Sequence, residues 1–135
     1  MVYDADVVST FSAMRQLRAR LKVDEYLNTV ERMHRSGYRL AAVVNGGRAR
    51  SEAGFRIQEY PYSGSHVYVD DLITYGSTRS QGHDKRMLDW LTEEARRAGC
   101  VQLHLDSVVQ RSDTRRFYFR EGLNIAAYHF RKDIQ

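Results

Sequence analysis

The segment from His66 to Ala98 reads HVYVDDLIT (66–74), YGSTRSQGHD (75–84) and KRMLDWLTEEARRA (85–98), and each of its three parts has its own pattern. The first is rich in β-branched and aromatic residues and predicts a strand. The last places Met87, Leu88, Leu91 and Ala95 at helical spacing and predicts a long amphipathic helix. Between them lies a basic, glycine-containing loop. A helix entered through Arg79, Ser80, Gln81 and Gly82 offers unpaired backbone N–H groups and a positive dipole end, to which the arginine adds a full charge. The natural guest of such a site is a phosphate or pyrophosphate.

Outward from this unit, Ala98-Gly99 is a helix stop, and CVQLHLDS (100–107) returns as a strand. A right-handed crossover then makes that strand parallel to 66–74. A short helix is expected from Ser112 or Asp113 to Gly122, followed by LNIAAYHFRK (123–132), whose alternation predicts a last strand. Upstream, YRLAAVVN (38–45) is an apolar strand, and Asn45-Gly46-Gly47 predicts a tight hairpin because both turn positions favour positive φ. Its partner alternates Ala49, Ser51, Ala53, Phe55 and Ile57, expected to pack, with Arg48, Arg50, Glu52, Gly54 and Arg56, expected to meet solvent or a partner. Pro61 and its neighbours Tyr60, Tyr62, Ser63 and Gly64 read as a surface loop. Two helices are expected before this meander, one over Asp4–Leu21 with an apolar stripe and one capped by Asp24 and ending before Gly37.

A chain of 135 residues, 42% of them apolar, is the size of one domain covering residues 1–135. Its single cysteine, Cys100, excludes an internal disulfide framework and is expected to pack at the start of a strand. No apolar run approaches the roughly 20 residues of a membrane span, and MVYDADVV has no basic n-region, so a soluble cytoplasmic protein without a membrane partner is expected. The net charge is +4, but the 21 Lys and Arg are spread among 17 acidic residues. That distribution argues against a nucleic-acid binder and for a local positive potential toward an anionic ligand. No His/Cys/Glu cluster has metal-ligand spacing, and no Ser-His-Asp signature is present.

Arg79-Ser80-Gln81-Gly82-His83-Asp84 resembles the R-x-x-G-x-G/A pyrophosphate loop of the GNAT N-acetyltransferase superfamily, and it stands between a strand and a long helix as that loop does. Downstream, HLDSVVQRSDTRRFYFREGLNIAAYHF is similar to the second half of the same fold. The resemblance spans roughly Tyr38 to Phe130, and the ordered pair of blocks carries more weight than a lone R-x-x-G. It implies an α/β, GNAT-like fold: a mixed, mainly antiparallel sheet whose parallel central strands splay, flanked by helices. The family usually opens with a full strand, so a first strand that is short or missing is expected here. One position departs from the pattern. Asp84 stands where the family has Gly or Ala; it suits a helix N-terminus but would repel a phosphate by about 1 kcal/mol per solvated near charge unless Arg79, Lys85 or Arg86 compensates.

The resemblance further implies acetyl-CoA as co-substrate, an amine of a small molecule or peptide as acceptor, and direct attack in a ternary complex; it is compatible with a homodimer. It places the pyrophosphate on Arg79, Ser80, Gln81, Gly82, His83 and Asp84, the thioester against Leu72, Ile73 and Thr74, and Arg111 where relatives carry a cofactor-binding Asn. Tyr118 matches the tyrosine near the thioester sulfur, and a phenol with a pKa near 10 can donate a proton to the leaving thiolate. Asp70 and Asp71 match acidic residues that bind or deprotonate the acceptor amine. Strict alternation would allow only one of them into the cleft, but the resemblance also implies a strand bulge at this place, which removes any parity argument about which. His66, His104 and His129 read as strand residues with local hydrogen bonds. The alternative is a catalytically silent GNAT-like module, with a nucleic-acid binder behind it.

Overall fold

The computed structural model describes residues 2–4, 22–45, 48–61, 64–74, 82–107 and 112–135, with backbone alone at 2–4, 23, 26, 48, 112 and 113. The elements are β1 (Val2–Asp4), α1 (Val23–Arg35), β2 (Arg39–Asn45), β3 (Arg48–Tyr60), β4 (Gly64–Thr74), α2 (His83–Arg97), β5 (Gln102–Leu105) and α3 (Ser112–Arg120). They fall into two units, one ending at Leu105 and the other beginning at Asp106.

In the first unit the strands form one sheet in the order β1-β2-β3-β4-β5, antiparallel except for the parallel pair β4/β5. This is the mixed, mainly antiparallel sheet expected, with a first strand of only three residues that pairs with Ala41–Val43. Asp4 belongs to that strand rather than to a helix. The helix expected over Asp4–Leu21 otherwise lies outside the described residues. Asp24 does not cap α1; Lys22 holds the N-cap position, and Asp24 lies in the first turn, where its charge complements the dipole. Asn45 pairs with Arg48, as a two-residue hairpin requires.

One face of the sheet packs on α2. Ala41 and Val43 of β2, Ala53 and Phe55 of β3, and Val67 and Val69 of β4 are buried with Met87, Leu91 and Ala95 of the helix, and Trp90, Cys100, Leu103 and Leu105 close the rim. The helical spacing of the α2 residues, read from the chain, is therefore the spacing of the core. Arg39 ties β2 to the helix through a 2.8 Å ion pair with Glu94, its guanidinium over the Phe55 ring.

The other face is buried too, which the alternation of β3 did not anticipate. Glu52 and Gly54, expected to meet solvent or a partner, are both buried, whereas Ile57, expected to pack, is exposed. Tyr38 lies across Gly54 so closely that a Cβ there would collide with its phenol oxygen. Only glycine fits under that ring.

In the second unit Phe117 is buried on α3, with Arg120 stacked on its ring. The strand expected over Leu123–Lys132 is not formed: no β pairing is assigned between Leu123 and Gln135, and Tyr128 and Phe130 are 84% and 92% exposed. Alternation supplies two faces, but a strand also needs a hydrogen-bonding edge beside it.

Candidate active site

The site is built around one irregularity in β4. Opposite β3 the register runs Ala53↔Leu72, Gly54↔Asp71 and then Phe55↔Val69, so Asp70 is an extra residue without a partner across the strand pair. This is a β-bulge. The pairing on the two edges of β4 has two consequences here. Val69, paired with Leu105, is the last residue of β4 in register with β5, so Asp70–Thr74 have β3 on one edge and no described strand on the other. A strand paired on one edge only turns alternate N–H and C=O groups of Asp70–Thr74 toward the open side. The pairing of the two parallel strands stops at Val69 and Leu105, beside the bulge and where β5 ends.

The second consequence concerns the two aspartates. Leu72 and Val69 belong to the core face, so Asp71, opposite Gly54, lies on the other one. Asp70 reaches that same face, because its Oδ2 accepts a 3.0 Å bond from Nε of Arg56, whose guanidinium lies over the Tyr38 ring. Strict alternation, which would separate the pair, fails here because the bulge adds one residue. Both carboxylates share a face with Glu52, and Asp70 is already engaged by Arg56.

Glu52 is the residue that sequence reasoning missed. It is 2% exposed, and both carboxylate oxygens are buried without a hydrogen-bond partner. Its cross-strand neighbours, Ala42 on β2 and Ile73 on β4, carry no charge. Burial pushes its pKa from 4.5 up to about 8. The available signal was the single acid in the β3 run RARSEAGFR, but solvent was the ordinary expectation for it.

Further along the same face, His66 is fully buried, its ring 4.6 Å from that of Tyr60 and 4.4 Å from that of His104. Burial, and then the neighbouring His104, hold its pKa below the usual histidine range, so the imidazole is neutral at pH 7. His104 bonds Gln102 from within β5. His129 is not in a strand but pairs with Asp106. Cys100 packs against the core, and burial pushes its thiol up, which removes it as a nucleophile.

Of the expected phosphate loop, Arg79, Ser80 and Gln81 lie outside the described residues, as does Arg111. Gly82 is the N-cap of α2 at φ +78, a left-handed conformation that favours glycine, and it offers no capping side chain. The His83 side chain is buried, so the helix end presents the backbone of that residue rather than its imidazole. Oδ1 of Asp84 accepts the N–H of Lys85 at 2.8 Å, and the Lys85 ammonium pairs with Asp89. Thr74 donates to Ser51, joining the end of β4 to β3. Tyr118 lies half-buried on α3 beside Phe117, with ring centroids 5.4 Å apart.

The described residues contain no group of three His, Cys, Asp or Glu placed to hold a metal ion, and no described helix is long and apolar enough to cross a membrane.

A bulged central strand, a parallel pair whose bridging stops beside the bulge, and a helix starting at an uncapped glycine are features that the resemblance to an acyltransferase fold implies. No family model matches the chain. It is, however, 32% identical over 127 residues to YhdJ of Bacillus subtilis (strain 168), described as an uncharacterized N-acetyltransferase, covering 93% of this chain and 89% of that protein. It is 34% identical over 66 residues to the aminoalkylphosphonate N-acetyltransferase of Salmonella typhimurium (strain LT2), covering 49% of this chain and 43% of that one. Among solved structures, the aminoglycoside N-acetyltransferase AAC(6')-Iy in complex with CoA superposes with a TM-score of 0.83 at 15% identity, over 98% of this chain and 93% of that one. The chain belongs to the GNAT superfamily of N-acetyltransferases.

Proposed function

We propose that the protein transfers the acetyl group of acetyl-CoA to an amine of a small molecule or peptide, by direct attack in a ternary complex. The observation that carries this reading is the relationship to an N-acetyltransferase over nearly the whole chain. The geometry agrees with it. The edge of β4 beyond Val69 offers backbone donors around Leu72 and Ile73 to the thioester and pantetheine. The N-terminus of α2, entered through Gly82, offers N–H groups to the pyrophosphate, with Arg79 adding charge. Asp70 and Asp71 stand together on one face, where they can receive the acceptor; Tyr118 is assigned as proton donor to the thiolate by its match to the family tyrosine. A small amine is favoured as acceptor because one relative is named for an aminoalkylphosphonate and structural neighbours are named for an aminoglycoside and for glucosamine-6-phosphate.

One observation favours the second reading, a GNAT-like module without activity. Asp84 sets a carboxylate at the helix end and takes the Lys85 N–H for itself. Calorimetry with acetyl-CoA, followed by thiol release in the presence of candidate amines, decides between them. Binding with turnover establishes the enzyme, and binding without turnover the silent module. Tight, steeply salt-dependent binding to DNA or RNA would overturn both.

A further inference from the structure

We propose that Glu52, rather than Asp70 or Asp71, receives the ammonium of the acceptor and takes its proton before attack. The inference rests on the acetyltransferase reading and names a residue for it.

Three observations carry it. Among the described residues, Glu52 is the one carboxylate whose two oxygens are both buried and without a hydrogen-bond partner. Buried polar groups in native proteins are almost always paired, so such an orphan asks for a missing ligand. Its position supplies one: it shares the face of Asp71, lies opposite Ile73, and is next to the stretch of β4 that β5 leaves open. Finally, among the described residues the other charges on this face do not neutralise it. Arg56 is taken by Asp70, the guanidinium of Arg50 donates to the Asn45 carbonyl, and His66 is held neutral.

The chemistry suits the environment. An alkylammonium loses its proton near pKa 10.4, so transfer to an ordinary carboxylate is about 10⁶-fold uphill. A buried carboxylate at about 8 reduces that to roughly 10²-fold. The proton moves from nitrogen to Glu52; the freed lone pair forms the N–C bond as the C–S bond breaks. The second nitrogen proton balances the one that the thiolate acquires, and Glu52 returns its proton to solvent.

The test compares the wild type with Glu52→Gln and Glu52→Asp, using 2-aminoethylphosphonate, 1,4-diaminobutane and ethanolamine as probe amines between pH 6 and 10. Glu52→Gln should bind acetyl-CoA as the wild type does and lose about 10²–10⁴-fold in kcat/KM for the amine turned over fastest, with the rising limb of the pH profile abolished. Glu52→Asp should recover part of the rate and restore the limb. Carboxyl-carbon NMR of the labelled protein, assigned by difference with Glu52→Gln, should show titration near pH 8. Unchanged turnover in Glu52→Gln, or a titration midpoint below about 6, overturns the inference and leaves the acetyltransferase reading standing. A wild type that binds no acetyl-CoA, or binds it and acetylates none of the three amines, overturns that reading and this inference with it.

Discussion

Glu52 also makes a prediction that needs no substrate. Its carboxyl titrates at about 8 in the folded chain against 4.5 in the unfolded one, so between those values the folded protein holds a proton that the unfolded chain has released. Stability must therefore fall as pH rises through this window, with a slope of up to about 1.4 kcal/mol per pH unit. The contribution of the neutral acid is fully present below about pH 4.5 and lost by about pH 8. Over 3.5 units the ceiling is roughly 5 kcal/mol, a large part of the stability of an ordinary domain. Glu52→Gln keeps the size and cannot ionise. It should match the wild type within about 1 kcal/mol at pH 5 and exceed it by at least about 2 kcal/mol at pH 9. Urea unfolding of both proteins at half-unit intervals measures the difference. A difference that stays flat across the window would mean that Glu52 ionises freely in the folded protein, and the buried-acid argument would fail.

Arg79→Ala should weaken acetyl-CoA binding about 10- to 100-fold by calorimetry, since a charge-assisted bond to a phosphate is worth about 1.5–3 kcal/mol. Tyr118→Phe should leave that affinity nearly intact while turnover falls about 10²–10⁴-fold, because only the proton for the thiolate is lost. Gly54→Ala should cost about 1–3 kcal/mol in urea unfolding, because the new methyl displaces the Tyr38 phenol from above the strand. Asp84→Gly should tighten acetyl-CoA binding about fivefold at low salt, the equivalent of one solvated charge repulsion of about 1 kcal/mol, with the gain shrinking as salt is added. Asp84→Asn should recover only the electrostatic part; equal affinity for all three forms would show that Asp84 does not face the phosphates.

Much of this architecture is legible in residue types. The change from a β-branched strand to the 3.6-residue spacing of Met87, Leu88, Leu91 and Ala95 marks β4 and α2, and all four of those residues are buried. Cys100 packs where a strand begins, and β5 is parallel to β4. What escaped depends on neighbours distant in sequence. Alternation along β3 distinguishes two faces but does not say that both are covered, so Glu52 read as a solvent residue. Alternation at Leu123–Lys132 likewise does not supply the edge that would make it a strand. In each case local pattern gives a side chain its direction, and tertiary packing decides what it meets.

The bulge combines both levels: the family resemblance implies one here, but the pairing alone says which residue it displaces. Val-Asp-Asp-Leu could be read as four alternating residues, yet pairing Phe55 with Val69 and Gly54 with Asp71 leaves Asp70 over. That surplus brings two carboxylates to one face, next to the point where β5 ends and leaves the backbone of Leu72 and Ile73 with no described strand on the side away from β3. Arg56 then neutralises Asp70, and Tyr38 settles into the space above Gly54. Of the acids on this face, Glu52 is the one both buried and without an ion pair, and so the one whose charge depends on what enters the cleft. A strand without the bulge would keep the core and the helix. It would also turn one aspartate toward the core face.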